Sequence, residues 1–261
     1  MRKPNNLKKM LKEQKSCIGT WSIIPSASAA NIMASAGFDF VIIDMEHGPV
    51  SFETAENMVR ALEGEGCTPL IRVPSNDAAS ILRALETGAH GVVVPHIETP
   101  EDAKAVIQAT KYVPIGNRGV SVFTRSSGYY AVNQQGRTDK ENNQTMVVLL
   151  VEGIKGIKNL ERIADIGNID VIYIGTYDLS QALGIPDKVD SKEVIKEVEN
   201  CAKKLRNKGI AAGVLAQNEK DIEQWLNMGV QFIAYMADCA IFHQACFDIV
   251  NKFKTRIGVK Q

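Results

Sequence analysis

Short apolar runs recur along the chain and alternate with segments whose apolar residues follow a helical period. The runs are continuously apolar rather than alternating, which is typical of parallel strands covered on both faces. The sequence therefore predicts eight β-strands, at residues 18–21, 40–43, 70–73, 91–94, 147–151, 171–174, 212–215 and 232–235.

The segments between these runs have the pattern of helices. Several begin after a Ser, Thr or Asp that can cap the first turn, and several end at a glycine. Because this order continues through residues 1–261 without a linker, it predicts a single (β/α)8 TIM barrel of the α/β class. A doubly wound open sheet is the alternative, but its GxGxxG turn is missing from the sequence. The helical period is clearest in residues 55–63, 78–87, 101–110, 192–208 and 219–228.

Three segments fall outside this order. Residues 4–14 have the pattern of a short amphipathic helix, which we expect to close the bottom of the barrel. Residues 112–146 are long and polar for a connection, which is typical of a lid or an interface element; folding over their own barrel is the alternative. The final helix, 240–253, is apolar around much of its circumference and needs a second surface to cover it. The last two segments together predict a homo-oligomer.

Composition excludes several classes of protein. Apolar residues make up 45% of the chain and charged residues 23%, which is ordinary for a globular protein. Thirty basic residues balance thirty acidic ones, so no surface for nucleic acid is expected. The five cysteines include no CxxC pair, and the sequence has neither a signal peptide nor an apolar run of membrane-spanning length. We therefore expect a cytoplasmic protein with reduced thiols and no membrane partner.

Carboxylates end two successive predicted strands. Glu152 follows the run at 147–151, and Asp178 follows the run at 171–174. Because the carboxyl ends of barrel strands open on one face, the two side chains should lie close enough to share a divalent cation. Mg²⁺ and Mn²⁺ prefer such oxygen ligands, and a 2-oxo acid bound to the cation would form a stabilised enolate on cleavage. Either carboxylate alone fits a helix cap or a surface ion pair equally well.

Arg72 and His47 are the other candidates for chemistry. Arg72 lies inside a predicted strand, where its guanidinium must find partners, and at the barrel mouth it would suit a carboxylate or enolate oxygen. His47 follows the second strand in the segment DMEHGP, and histidine is the side chain best suited to be a general base near neutral pH. Its neighbours Asp44 and Glu46 would orient it, contact metal-bound water or cap a helix.

Competing mechanisms lack their residues. A Schiff-base aldolase needs a lysine inside the barrel, and none of the eight strand runs contains one. The GxxxxGK phosphate loop is also missing, so a nucleotide is not expected. Pyridoxal phosphate is not expected either. Among the remaining histidines, His96 ends the fourth strand and stays a candidate, whereas His90 and His243 are interpreted as structural.

Four motifs, in order along residues 17–253, resemble the HpcH/HpaI aldolases. They are DMEHGP with His47, LIRVP with Arg72, LLVEG with Glu152, and IGTYDLSQALG with Asp178. The resemblance implies a class II pyruvate aldolase in which His47 is the catalytic base, Arg72 binds the substrate, and the two carboxylates hold Mg²⁺, Mn²⁺ or Co²⁺. It further implies swapped dimers within hexamers, with the C-terminal helix exchanged between subunits.

The same resemblance adds residues around the substrate. The backbone at Tyr177 would help to bind the keto acid, and Asp44 is placed with the substrate-binding residues. Trp21 and Leu215 would line the pocket for the aldehyde.

The chain departs from the family pattern at three positions. The acid that partners the histidine is commonly Asp in the family, and the matching residue here is Glu86. A glutamine often found two residues before the metal glutamate is Leu150, and the proline of the last motif is Thr176. None of these changes removes a metal ligand or the base.

These features predict a metal-dependent carbon–carbon lyase that cleaves a 4-hydroxy-2-oxo acid to pyruvate and an aldehyde. Two alternatives stay open. The same enolate chemistry would serve an oxaloacetate-type decarboxylase or a citrate-lyase-like enzyme, and a catalytically silent barrel would keep the site only to bind a small acid.

Overall fold

The computed structural model describes residues 4–130 and 135–257. Within them, eight parallel strands form one closed barrel, in which each strand pairs with its neighbours in chain order and the last pairs with the first. The predicted (β/α)8 fold is confirmed. The strands are β1 (Cys17–Ser22), β2 (Phe40–Asp44), β3 (Thr68–Arg72), β4 (Gly91–Val94), β5 (Met146–Val151), β6 (Val171–Ile174), β7 (Ala211–Ala216) and β8 (Phe232–Ala237).

Twelve α-helices occur in the described residues, with one 3-10 turn at Arg125–Ser127. No helix of residues 4–130 and 135–257 has both the length and the apolar character needed to cross a membrane. The helices are α1 (Asn6–Lys12), α2 (Ala27–Ser35), α3 (Phe52–Gly64), α4 (Ala78–Glu86), α5 (Pro100–Thr110), α6 (Arg137–Gln144), α7 (Ile154–Lys158), α8 (Leu160–Ala164), α9 (Thr176–Ala182), α10 (Lys192–Asn207), α11 (Glu219–Asn227) and α12 (Asp238–Arg256).

Strand β2 illustrates why the runs are continuously apolar. Phe40 and Ile42 belong to the cluster that fills the barrel interior, whereas Val41 and Ile43 belong to the layer between the strands and the helices. All four side chains are fully buried. Because successive strand residues point to opposite faces and both faces are covered, every position must be apolar.

Helix α1 closes the amino-terminal end of the barrel, as the sequence predicts. Leu7 and Leu11 are buried within the interior cluster. Asn5 donates its side-chain amide to the carbonyl of His90, at 3.2 Å, and Lys8 forms an ion pair of 2.9 Å with Asp170. Since His90 immediately precedes β4, these contacts tie α1 to the end of the barrel opposite the strand carboxyl ends.

The segment 112–146 packs against helices α3 and α4 of its own chain. Arg118 forms an ion pair of 2.8 Å with Glu86, Arg125 pairs with Glu63, and the Tyr129 hydroxyl donates to Glu56 at 3.2 Å. Residues 131–134 of the segment lie outside the described residues. A role for the segment as a lid or an interface element stays a prediction.

The buried Glu63 carboxylate gives this packing a defined dependence on pH. His90 Nε2 lies 2.7 Å from Glu63 Oε1, and Arg125 contacts the other oxygen. Burial raises the pKa of Glu63, but the hydrogen bonds and charges of His90 and Arg125 outweigh it and lower the pKa to about 2. A depressed carboxyl pKa stabilises the fold above the unfolded-state value, and this stabilisation is lost as the pH falls toward the folded-state value.

Glu63→Gln should therefore lower the free energy of unfolding near neutral pH by about 1–3 kcal/mol, because it leaves buried donors without a charged acceptor. The difference from the wild type should shrink as the pH is lowered from about 7 to about 3. In that range the carboxyl becomes protonated in the unfolded state, so its charge stabilises the wild-type fold less. Urea unfolding at both pH values measures this. Glu65→Gln, at an exposed carboxylate two positions along, is the control and should change little. A Glu63→Gln deficit that is the same at both pH values would contradict the assignment.

Candidate active site

A cavity of about 360 Å³ opens among the carboxyl ends of the strands. In a (β/α)8 barrel this face gathers the functional groups, because every strand ends there in a loop. The residues that line it come from seven of the eight strands or from the segments that follow them. Seven of the nine predicted site residues are among them: Trp21, Asp44, Arg72, Glu152, Tyr177, Asp178 and Leu215.

Arg72 and Asp44 form a buried ion pair at one side of the cavity. They end neighbouring strands and are directly paired in the β2–β3 register. Arg72 Nε donates to Asp44 Oδ1 at 2.9 Å, and a terminal nitrogen contacts the second oxygen. Another terminal nitrogen lies 3.0 Å from Glu46, and the guanidinium stacks 4.5 Å above the Trp21 ring. The guanidinium is thus fixed in orientation by contacts on three sides.

The same aspartate fixes the turn that carries His47. Asp44 Oδ1 accepts the backbone N–H groups of Glu46, at 2.9 Å, and His47, at 3.1 Å. Gly48 is needed for this turn, since a Cβ there would overlap the carbonyl oxygen of Asp44. The turn leaves the His47 side chain exposed at the barrel mouth rather than lining the cavity.

Glu86 does not partner His47 within the chain. Glu86 is the last residue of α4, which leads down to the amino end of β4, whereas His47 follows the carboxyl end of β2. Its carboxylate instead accepts from Arg118 at 2.8 Å, from Ser126 at 3.0 Å and from Thr124. Within this chain the two residues lie at opposite ends of the barrel, and the expectation that Glu86 orients His47 stays a prediction.

Glu152 and Asp178 lie on successive strand ends, as expected. Glu152 follows β5 directly, and Asp178 lies in the first turn of α9 after β6. Gly175 leaves room for the side chain of Glu152, since a Cβ at residue 175 would come within 3.3 Å of Glu152 Oε2. Burial raises the pKa of Glu152; the contacts from His96 oppose that shift, and the negative charges of Asp178 and Glu46 add to it.

His96, an open candidate in the sequence, also reaches this site. Its backbone N–H donates to Glu152 Oε1 at 3.0 Å, and its ring nitrogens lie 3.0 Å from both Glu152 and Glu46. The residue has a left-handed backbone, with φ of 59°, which turns the chain back toward β5. It therefore links the acidic residues of two non-adjacent strand ends.

The two carboxylates fit a divalent cation. Glu152 is largely buried, with 11% of its side chain exposed, and lies in the field of other carboxylates, so a cation would relieve a charge that burial makes costly. In the described part of the chain, no group of three or more His, Cys, Asp and Glu side chains surrounds one point. Water and substrate oxygens would thus complete the coordination of a hard cation.

Tyr173 is a residue that the sequence analysis missed. It is buried inside the barrel, and Trp21 Nε1 donates to its hydroxyl at 3.2 Å. Burial raises its pKa, which keeps the phenol neutral. With Leu150 it forms an apolar floor to the cavity. The available signal was a hydroxyl-bearing residue within an otherwise aliphatic strand.

Comparison with known proteins identifies the family of the chain. Residues 18–245 match the family model described as HpcH/HpaI aldolase/citrate lyase. The chain belongs to this family. Membership of this family, together with its aldolase relatives, makes the chain a carbon–carbon lyase. The family is known to use a divalent metal.

Individual relatives of this family are similar over nearly their whole length. The chain is 31% identical to a 5-keto-4-deoxy-D-glucarate aldolase of Citrobacter koseri, over 96% of this chain and 97% of that protein. A solved HpcH/HpaI aldolase/citrate lyase family protein from Burkholderia cenocepacia is 28% identical, with a TM-score of 0.90 over 96% of this chain and 99% of that one. The solved citrate synthase SbnG is 27% identical, with a TM-score of 0.87 over 96% and 98%.

Asp44→Asn should lower the free energy of unfolding by about 1–3 kcal/mol, because the buried guanidinium of Arg72 then keeps only Glu46 as an anionic partner. Chemical denaturation measures this. Asp165→Asn is the matched control. Asp165 forms its ion pair with Lys208 at the surface, where 65% of the Asp165 side chain is exposed, so loss of this pair should change the free energy of unfolding little. Equal effects of the two substitutions would mean that burial gives the Asp44 pair no special weight.

Proposed function

We propose that the chain is a divalent-metal-dependent aldolase that cleaves a 4-hydroxy-2-oxo acid to pyruvate and an aldehyde, and catalyses the reverse condensation. The observation that carries the proposal is that one cavity is lined by a fixed guanidinium, Arg72, and by the two carboxylates Glu152 and Asp178. A fixed cation beside paired oxygen ligands suits a substrate that carries a carboxylate next to a carbonyl group.

Glu152 and Asp178 are the proposed metal ligands, with Mg²⁺, Mn²⁺ or Co²⁺ as the ion. A cation held there would supply positive charge for the carboxylate and carbonyl oxygens of the 2-oxo acid. The first N–H groups of a helix have no acceptor within the helix. The start of α9, at Thr176 and Tyr177, is therefore the proposed backbone contact for the substrate carboxylate.

Arg72 is proposed to donate to the carbonyl oxygen as negative charge develops on it. Asp44 and Glu46 hold the guanidinium in position before any substrate arrives, which is the arrangement that makes electrostatic stabilisation effective. His47 is proposed to take the proton from the 4-hydroxyl group during cleavage. Because His47 is exposed outside the cavity, it would act through a water molecule.

The relatives named above suggest a substrate class. The relative from Citrobacter koseri is a 5-keto-4-deoxy-D-glucarate aldolase, so hydroxylated acids related to sugars are the proposed substrates of this chain. Trp21 and Leu215 are the proposed lining on the aldehyde side. A cytoplasmic location stays a prediction.

Chemistry on citrate-type acids is the second candidate. The similarity to citrate synthase SbnG favours it. An assay of pyruvate release from 4-hydroxy-2-oxo acids, run beside an assay of oxaloacetate consumption, separates the two candidates.

Removal of the metal should abolish pyruvate release. EDTA treatment should inactivate the enzyme, and Mg²⁺, Mn²⁺ or Co²⁺ should restore it. Glu152→Gln and Asp178→Asn should each weaken metal binding, measured by calorimetry, without changing the circular dichroism of the barrel. Glu161→Gln, at an exposed carboxylate on α8, is the matched control. Full activity in chelator, or a substrate adduct trapped by borohydride, would replace this proposal with a lysine mechanism.

Arg72 and His47 should differ in which reactions they affect. Arg72→Lys should slow both aldol cleavage and oxaloacetate decarboxylation, by about 10²–10³, because both develop charge on the same oxygen. His47→Ala should slow aldol cleavage much more than decarboxylation, which removes no proton from a hydroxyl group. Steady-state rates for both substrates measure this. Equal losses in the His47 variant would make the histidine a binding residue.

The working form is proposed to be a homo-oligomer, with swapped dimers or a hexamer as candidates. Helix α12 leaves large apolar side chains in contact with water within one chain, and a second copy would cover them. These residues, with their exposed fractions, are Phe242 (67%), Phe247 (45%), Ile249 (69%) and Phe253 (63%).

Light scattering at micromolar concentration should give a mass well above the 28.6 kDa of one chain. Ile249→Glu should shift the protein toward monomer, because it places a charge on the covered apolar face. Ile32→Glu, on α2 and similarly exposed at 66%, is the matched control and should leave the mass unchanged. A fully active wild-type monomer would refute the proposal.

A further inference from the structure

A second cavity, of about 280 Å³, lies directly beside the active-site cavity. It is formed by the loop that follows α9 and by the start of α11. Thr176, Tyr177 and Leu215 line both cavities, so these three residues form the partition between them. Two of the three come from the β6 side and one from β7.

The Tyr177 ring is held in this partition by a hydrogen bond. Gln217, the first residue after β7, donates its side-chain amide to the Tyr177 hydroxyl at 2.6 Å. The backbone N–H of Gln217 in turn donates to Asp221 Oδ2 at 2.8 Å, which fixes its position at the start of α11. Since 46% of Tyr177 is exposed, burial alone does not fix the ring. The amide of Gln217 is the contact that keeps it between the cavities.

We propose that the Tyr177–Gln217 pair sets the length of the aldehyde that the enzyme accepts. With the ring in the partition, the active-site cavity ends at Tyr177, and only a short aldehyde fits between it and the 2-oxo acid. Without the ring, the two cavities join and a longer chain extends into the second one. This inference rests on the proposed aldolase activity and concerns the side chain of Tyr177, not its backbone contact with the keto acid.

The charge of the second cavity defines which longer aldehydes would enter. Asp187, Asp190 and Asp221 line it, and among its described lining residues there is no lysine, arginine or histidine. A carboxylate at the end of the aldehyde would meet like charges there, whereas hydroxyl groups would find acceptors. The longer aldehydes that fit are therefore neutral and hydroxylated.

Condensation with pyruvate tests the proposal, with glycolaldehyde as the short aldehyde, erythrose as the long neutral one and succinic semialdehyde as the long acidic one. The readout is the ratio of kcat/KM for each long aldehyde to that for glycolaldehyde within one enzyme. Tyr177→Ala should raise the erythrose ratio at least tenfold and the succinic semialdehyde ratio much less. Tyr177→Phe and Gln217→Ala should each raise the erythrose ratio several-fold, and the double variant should exceed neither, because both remove the same hydrogen bond.

Gln181→Ala is the matched control, since Gln181 is exposed on α9 and lines neither cavity. Ratios in the Tyr177 and Gln217 variants that equal those of this control would overturn the inference, as would additive effects of Tyr177→Phe and Gln217→Ala. Solvent deuterium exchange into the methyl group of pyruvate, followed by NMR in the wild type, tests the aldolase proposal separately because it needs no aldehyde. A wild type that neither exchanges nor condenses would defeat the aldolase proposal, and this inference with it.

Discussion

The Asp44–Arg72 ion pair determines how charge is distributed over the mouth of the barrel. A guanidinium inside a barrel strand must be neutralised, and the register of β2 and β3 places Asp44 beside it. Arg72 is the one cationic side chain among the described residues that line the cavity, and its contacts with Asp44 and Glu46 leave no other cation there for Glu152 and Asp178. Burial of Glu152 and the negative charges of Asp178 and Glu46 then favour a bound cation at the proposed metal site.

Glu86 shows how one side chain can have a different structural role from the one that a motif implies. The position matches the acid that partners the histidine in related enzymes, yet α4 carries it away from the mouth. There its carboxylate accepts hydrogen bonds from the side chains of Arg118, Ser126 and Thr124, and these contacts anchor the segment 112–146 against the barrel. Within one subunit, the orientation of His47 instead comes from Asp44, which fixes its backbone.

The sequence predicts the strands and several site residues for one reason. Parallel strands buried on both faces must be continuously apolar, so a charged residue where such a run stops stands out, as Glu152 and Asp178 do. It does not predict α6, because residues 137–144 contain no apolar side chain and have no hydrophobic period. Tyr173 and Gln217 as site residues, and the contacts that His96 makes, were also beyond reach, since these contacts cross between strands that are not consecutive or depend on one rotamer at a loop. Only the closed barrel defines those distances.

The two sides of the active-site cavity differ in polarity, and this difference strengthens the interactions that the proposed reaction needs. The floor is apolar: Trp21, Leu150 and Tyr173 are at most 9% exposed, and the Tyr173 hydroxyl is already bonded to Trp21. Leu150, where relatives often have glutamine, removes a polar group from this floor. A charge on Arg72, which stacks on Trp21, is consequently screened less by water than it would be at the surface. An oxygen that gains negative charge beside it would be stabilised more strongly than in solution, because the donor is fixed in place beside an apolar floor.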